Sequence, residues 1–430
     1  MRIILFTENV QFGGLDTFCS TLIEAWPEPE DHFVVLCNAS HPGIAALRTK
    51  LEGRCCFKSY SIPLSWSMAR RMFGGHSIRL YFQPFFRILF FPMQYFLLCR
   101  LLRKQEADAL LVVNGGYPGG ESCRIANIVW SGLYQSSQAR PSIHNVHNYA
   151  VQPRRAFGWY ENLLDRWLVK SGARFVSVSR GCAESLKVRD SFKKGLSVDV
   201  IYNGIVVPPV VAGSHVADLR NLLHIGDEPC CLLLATYELR KGHRFLFEAF
   251  RMVSGSMPEA HLVVCGGGTA EERAQVEAAR GEVAPDAKIH LLDFIPGGQQ
   301  LIHQADVLVI SSQEFESFGL TAVEAMLCGV PVVATRVGGL PEVLGEEGDG
   351  GYLVERDDAA DFAARLLELL RSSERRKALG AQGRRRAERL FTAERMAEAY
   401  RKLLVGSANP ALATGAGCAT NSRSTSNAQQ

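Results

Sequence analysis

The chain has 430 residues, 47% of them hydrophobic and 21% charged, with a formal net charge of +3. That length favours two or three domains, and the composition is globular rather than fibrous or low-complexity. A charge so close to balance gives no global case for binding nucleic acid, and none is expected as a partner. Twelve cysteines are scattered along the sequence without a C-x-x-C pair, most of them inside apolar runs. They read as buried, reduced thiols of a cytoplasmic protein rather than as a disulfide frame or a zinc site.

The first elements alternate strand and helix. The opening apolar run to Phe6 is cut off by Glu8, so it reads as a buried strand, Arg2 to Phe6, rather than as a leader. The loop from Val10 to Gly14 follows, and Leu15, Phe18, Leu22 and Ile23 then recur at helical spacing. Further strands are expected at His32 to Cys37, Ala109 to Val113, Ser142 to Val146 and Arg174 to Ser179. This alternation predicts an α/β layered domain with a parallel sheet. Gly13 and Gly14 let backbone approach a ligand closely, although a plain turn would use them equally. They do not have the spacing of a dinucleotide fingerprint. The run from Asn114 to Glu121, with Tyr117, follows a strand and is expected to open toward a cleft and shape an acceptor pocket. His147 also follows a strand and would face that cleft, whereas one of His144 and His147 is expected to be structural.

One stretch departs from an ordinary soluble domain. No acidic residue occurs between Glu52 and Glu106, while nine Lys and Arg do, and the run from Leu80 to Leu102 is dense in Phe, Tyr and Leu. Each large side chain is worth roughly 1.5–3 kcal/mol on burial. Such a run must therefore be covered, either as a core helix of the first domain or as a basic segment docked on anionic lipid. Arg87, Pro84 and Pro92 interrupt it and argue against a membrane span. Peripheral association through residues 70–104 with the cytoplasmic face of a membrane is the expectation.

A second α/β set begins near Cys230. Its strands are expected at Cys231 to Ala235, His261 to Cys265, Lys288 to Leu292, Val307 to Ile310 and Val330 to Ala334. Residues 205–227, with Pro208 and Pro209, read as the interdomain connection. The expected organisation is a first domain over 1–205, a second over 206–390, a returning helix over 391–405 and a disordered tail over 406–430. Two such domains in tandem make a cleft between facing strand ends, where open sheets bind ligands.

The most informative chemistry lies at Glu316 and Glu324, a Glu, seven residues, Glu spacing between an apolar strand and the next. Glu316 falls on a loop and Glu324 on the first turns of a helix among apolar neighbours, where a carboxylate is desolvated unless something donates to it. The N–H groups of Gly319, Leu320 and Thr321 would point out of the helix start, which suits phosphate. Carboxylates on either side of a phosphate site suit a nucleotide sugar. From spacing alone, the two glutamates could equally be ordinary loop and surface residues. Arg240 and Lys241, two cations at a strand end before a helix, suit a diphosphate. No Asp-x-Asp occurs, so no metal and no cofactor are expected, with Lys241, Arg240 and helix starts neutralising charge instead.

From Ser311 to Glu342, with Pro331, Thr335, Gly338 and Gly339, the sequence resembles the donor-binding signature of retaining family 4 glycosyltransferases. The resemblance implies a GT-B fold: two Rossmann-like domains facing across a cleft. It implies transfer of a sugar from a UDP- or GDP-sugar to a hydroxyl of a glycan or lipid-linked acceptor with retained configuration, a hexosyltransferase-type activity in polysaccharide or glycolipid synthesis. Lys241 would meet the diphosphate, Glu324 the ribose and Glu316 the donor-sugar hydroxyls. Phe318, Gly319, Leu320 and Thr321 would belong to the donor site, His147 would position the donor sugar, and Ile295 and Gly266 would edge the base. Gly13 and Gly14 would lie beneath the diphosphate near the acceptor. Asn203-Gly204 resembles the family's hinge turn, and the last helix would cross back to the first domain. The family's usual Gly-Arg is absent at Ala235-Thr236-Tyr237, and Arg240 is the candidate substitute. A GT-B epimerase or phosphorylase, or a non-catalytic binding protein on this scaffold, are the rival readings.

Overall fold

The computed structural model of the chain describes residues 1–10, 13–74, 79–134, 140–154, 157–193, 195–206, 218–345 and 349–408. Part of the glycine loop (11–12), part of the expected connection (207–217) and the expected tail from 409 onward lie outside the described residues.

Seven parallel strands form the first sheet: β1 (Arg2–Thr7), β2 (His32–Asn38), β3 (Cys55–Tyr60), β4 (Ala109–Asn114), β5 (Ser142–Val146), β6 (Arg174–Ser177) and β7 (Val198–Val200). Six form the second: β8 (Cys230–Leu234), β9 (His261–Cys265), β10 (Ile289–Leu292), β11 (Val307–Ile310), β12 (Val332–Thr335) and β13 (Gly351–Val354). The spatial orders are β3-β2-β1-β4-β5-β6-β7 and β10-β9-β8-β11-β12-β13. Each sheet runs outward from its first strand, then restarts on that strand's other side, as Ile3 pairing with both Phe33 and Ala109 shows. The switch points, between β1 and β4 and between β8 and β11, open crevices at the strand carboxyl ends. Central strands such as Ile3 to Phe6 are wholly buried because helices cover both faces.

One face of the first sheet packs under helix Gly14–Glu24 and the last helix, Ala393–Ala408; Phe18, Leu22, Met396, Ala397, Tyr400 and Leu404 fill that layer. Helix Ala393–Ala408 therefore packs back against the first domain. It crosses between domains at adjacent points: Ile205 bridges Thr392, and a Cβ on Gly204 would lie 2.4 Å from the Thr392 carbonyl oxygen. A buried apolar cluster runs through both domains, including Val146, Leu232, Phe318 and Phe391.

The acid-free stretch forms helices Ser65–Phe73 and Arg79–Arg103, the latter continuous through Pro84 and Pro92. The prolines were expected to interrupt it. Leu98 and Leu102 are wholly buried, packed on the sheet face with Trp130, and Gln94 donates to the Pro63 carbonyl. Neither expected alternative covers the whole helix. Phe86 is buried, whereas Phe82, Phe85, Leu89, Met93 and Phe96 are exposed.

Candidate active site

The carboxyl ends of the two sheets face each other across a cavity of about 350 Å³. Gly14, Gly115, His147 and Asn148 wall it from the first domain; Lys241, Ser312, Glu316 and residues 317–321 wall it from the second. Asn203 and Leu320 also line a neighbouring cavity of about 260 Å³, with Glu324, Thr17, Glu24, Lys50 and Gln299. The two cavities thus meet at the start of helix Leu320–Leu327.

That helix start is shaped by Gly319, which has a positive φ of 97° and whose Cβ would lie 2.7 Å from Leu340 Cδ2. Only glycine lets the chain turn here with its N–H groups open to the cavity. Phe318 lines the cavity at its root while its ring is buried between Tyr202 and Phe391.

Lys241 sits in a short 3-10 turn, Leu239–Lys241, pinned to the end of β11. Ser311 Oγ donates to the Lys241 carbonyl and Gln313 N to the Arg240 carbonyl. Gly242 permits this approach, since a Cβ there would lie 2.0 Å from the Ser311 carbonyl oxygen. Lys241 Nζ is thereby held 2.6 Å from Glu316 Oε2, which also accepts from Ser312 Oγ at 3.2 Å. Two residues assigned separate roles from sequence form one ion pair. Arg240 is placed differently: it pairs with Glu238 and stacks over Phe315, and it does not wall the cavity.

His147 follows β5, its N–H donating to the Asn114 carbonyl at 3.0 Å and its ring edge-on to Phe18 at 4.2 Å. Its Nε2 is buried with no hydrogen-bond partner among the described residues, and burial lowers the ring's pKa to about 3, so the imidazole is neutral. His144 is the structural member of the pair, bonded to Asn127 and Asn114 and fully buried. Glu324, half-buried, accepts no hydrogen bond among the described residues, and desolvation raises its carboxyl to about 7.

Several expected positions turn out to be braces. Tyr117 is 1% exposed, donates to Asp165 at 2.6 Å and lies under the Arg124 and Arg189 guanidinium groups. Asn114 accepts from Gly120 N and donates to the Pro118 carbonyl, fixing the loop whose Gly115 does reach the cavity. Neither side chain opens toward the cleft as expected, because each is consumed by buried partners. Gly13 donates to Asp16, itself held by His41 at 2.7 Å, so the glycine loop is anchored from below. Gly266 and Ile295 do not wall either cavity; Gly266 allows the ends of β8 and β9 to close, and Ile295 packs on the core.

Sequence reasoning missed the contacts that join the domains here. Glu342 accepts from Arg180 N, Gly181 N and Tyr202 OH at 2.8, 2.9 and 3.2 Å. Ser317 Oγ donates to Asn148 at 2.6 Å, and the Tyr149 ring packs tilted against Phe315 at 4.5 Å. The only signal for Asn148 was its place beside His147, one residue further past the strand end.

Residues 217–386 match the family described as glycosyl transferases group 1. N-acetyl-alpha-D-glucosaminyl L-malate synthase of Bacillus anthracis is 39% identical over 101 residues, 24% of this chain and 26% of that protein. D-inositol 3-phosphate glycosyltransferase of Corynebacterium kroppenstedtii is 31% identical over 202 residues, 45% of this chain and 44% of that protein. The chain thus spans less than half the length of these curated relatives. Among solved structures, HepE of Anabaena in complex with UDP superposes with a TM-score of 0.69 at 17% identity, covering 94% of this chain and 100% of that one. A glycosyltransferase of Rickettsia africae gives 0.71 at 14% identity, covering 95% and 98%. At such identities the likeness shows the fold, which is GT-B.

Proposed function

Through residues 217–386 the chain belongs to the group 1 glycosyl transferases, and from that premise we propose that it moves a sugar from a nucleotide-sugar donor to an acceptor hydroxyl with retained configuration. The observation that carries this reading is the pair of joined cavities at one glycine-shaped helix start, with Lys241 and Glu316 in one and Glu324 in the other. The helix N–H groups and Lys241 would take the diphosphate between them. Glu324 would receive the ribose hydroxyls, and Glu316, released from Lys241 as the phosphates arrive, the hydroxyls of the transferred sugar. The diphosphate gains charge as the glycosidic bond breaks, so a fixed ammonium and oriented N–H groups favour the transition state over the ground state. His147, neutral, would position the sugar by its backbone or ring rather than give a proton. No protein nucleophile is assigned, and charge on the diphosphate is met without a metal.

The acceptor is a glycan or lipid-linked alcohol, entering from the first-domain side past Gly14 and Gly115. HepE was solved with UDP-glucose, which places UDP-sugars first among donors to try. A thermal-shift panel of UDP-, GDP- and ADP-sugars tests the reading: a donor at 100 times its dissociation constant adds about 2.7 kcal/mol of stability. No shift with any nucleotide sugar would refute it. Incubating the responding donor without acceptor then separates transfer from epimerisation, since only an epimerase would interconvert the sugar.

A further inference from the structure

The exposed side chains of helix Arg79–Arg103 are not scattered. Phe82, Phe85, Leu89, Met93 and Phe96 stand 41, 53, 56, 43 and 66% exposed. Their spacing of three and four residues puts them on one stripe of the helix, and the same stripe continues into the exposed Arg100 and Arg103. The opposite side holds Gln94, Leu98 and Leu102, all buried, and Phe86 is buried at the edge of the stripe. A large apolar stripe left uncovered marks an interaction site.

The position of the stripe follows from what its helix touches. Leu98 and Leu102 lie over the sheet, but Gln94 reaches Glu121, the first residue of the helix that follows β4. Arg87 reaches the same Glu121 at 3.3 Å, and Tyr160 OH, near the start of the helix after β5, donates to the Arg87 carbonyl. These partners stand at the carboxyl edge of the strands, the edge that faces the cleft. The turns before Arg87 therefore run beyond that edge, paired with helix Ser65–Phe73 through stacking of Phe73 on Phe82 at 4.7 Å. The hairpin stands at the cleft side of the first domain, where the proposed acceptor would enter.

We propose that this hairpin docks the first domain on an anionic bilayer, the helix lying in the plane of the interface with its apolar stripe at the headgroup–acyl boundary. Charge selects this occupant. From 53 to 105 there is no acidic residue, and the exposed Arg70, Arg71, Arg100, Arg103 and Lys104 flank the stripe. A protein partner would need an acidic rim around an apolar ridge; a leaflet of anionic lipid offers both at once. The stretch Phe82–Arg103 is long and apolar enough to span a membrane, but Gln94 and Leu98 are built into the domain and Arg87 is paired inward with Glu121 and Glu161. It lies on a membrane rather than crossing one. The identity of the acceptor as lipid-linked rests on the transferase reading; the docking itself does not.

Flotation of the full chain with phosphatidylcholine vesicles, with and without phosphatidylglycerol, tests the proposal. Binding is expected only with phosphatidylglycerol, weakening but not vanishing as salt rises. Phe85→Glu with Leu89→Glu and Phe96→Glu should lower partitioning at least ~10-fold at unchanged melting temperature. Arg100→Glu with Arg103→Glu should lower it on the order of 10- to 100-fold. Equal partitioning of the apolar triple variant, or no flotation with either vesicle at low salt, overturns the proposal. So does a wild-type chain that doubles its mass in light scattering while the triple variant stays single, which would assign the stripe to a second copy. Donor binding, read separately by thermal shift, tells failure of docking from failure of the transferase reading.

Discussion

Glu324 offers the sharpest test of the donor site. Its carboxyl accepts no hydrogen bond among the described residues, and burial raises it from 4.5 to about 7. The folded chain therefore holds a proton there that the unfolded chain releases two to three pH units lower. Between those values the native state binds more protons than the unfolded one, so this group makes the fold less stable as pH rises through that window. A ribose that donates its hydroxyls needs the ionised form. Binding must expel the proton, and donor affinity should rise with pH, about tenfold per unit below 7 and level above it. At pH 5 the dissociation constant should be roughly 100-fold weaker than at pH 9. Calorimetry in two buffers of different ionisation heat should count close to one proton released per donor at pH 6. Glu324→Gln should abolish that release and flatten the profile. Glu8, also raised to about 7, is bonded to Ser122 outside the cavity. A slope that persists in Glu324→Gln would refute the ribose role and point to Glu8; a flat profile in the unaltered protein would also refute the ribose role.

Lys241→Ala should lower kcat by on the order of 100- to 1,000-fold with little change in KM, because the diphosphate gains charge only as the bond breaks. Steady-state kinetics showing a raised KM at unchanged kcat would make Lys241 a uniform binder. Glu342→Ala unties two backbone N–H groups and Tyr202 from the second domain, each bond to the carboxylate being worth about 1.5–3 kcal/mol. Small-angle scattering should then show a wider molecule, and donor KM should rise at least ~10-fold. Activity should survive EDTA; its loss, with recovery on Mg²⁺ or Mn²⁺, would mean that a metal meets the diphosphate.

Much of this molecule could be read in its residues, for identifiable reasons. Strands buried on both faces, such as Ile3 to Phe6 and Leu308 to Ile310, are uninterrupted apolar runs, and those were legible. The strands that were not legible lie at sheet edges or are short. Cys55–Tyr60 carries Lys58 because one side meets solvent, Val198–Val200 is three residues long, and Gly351–Val354 opens on glycine. The second-domain half of the site was legible because loop and helix start lie in one continuous segment. Its first-domain half was not. Whether Asn114 and Tyr117 face a ligand or a brace depends on Asp165, His144 and Gly120, and nothing local announces Asp165 as Tyr117's partner. Arg240 failed for a nearer reason: Glu238 captures it two residues away. The helix at 79–103 was read as covered throughout, because burial energy summed over a run does not say which side of the helix it falls on.

The return of the last helix has a consequence for how the chain is made. Met396, Ala397, Tyr400 and Leu404 complete an apolar layer begun by Ile3, Phe18 and Leu22. During synthesis the first domain would leave the ribosome with that layer open, Phe18 and Leu22 uncovered, until the closing segment emerged some 370 residues later in the same order. The domain made first is thus finished last. A nascent chain stalled after the second domain would present an unfinished core to chaperones, although every donor-site residue had already been translated.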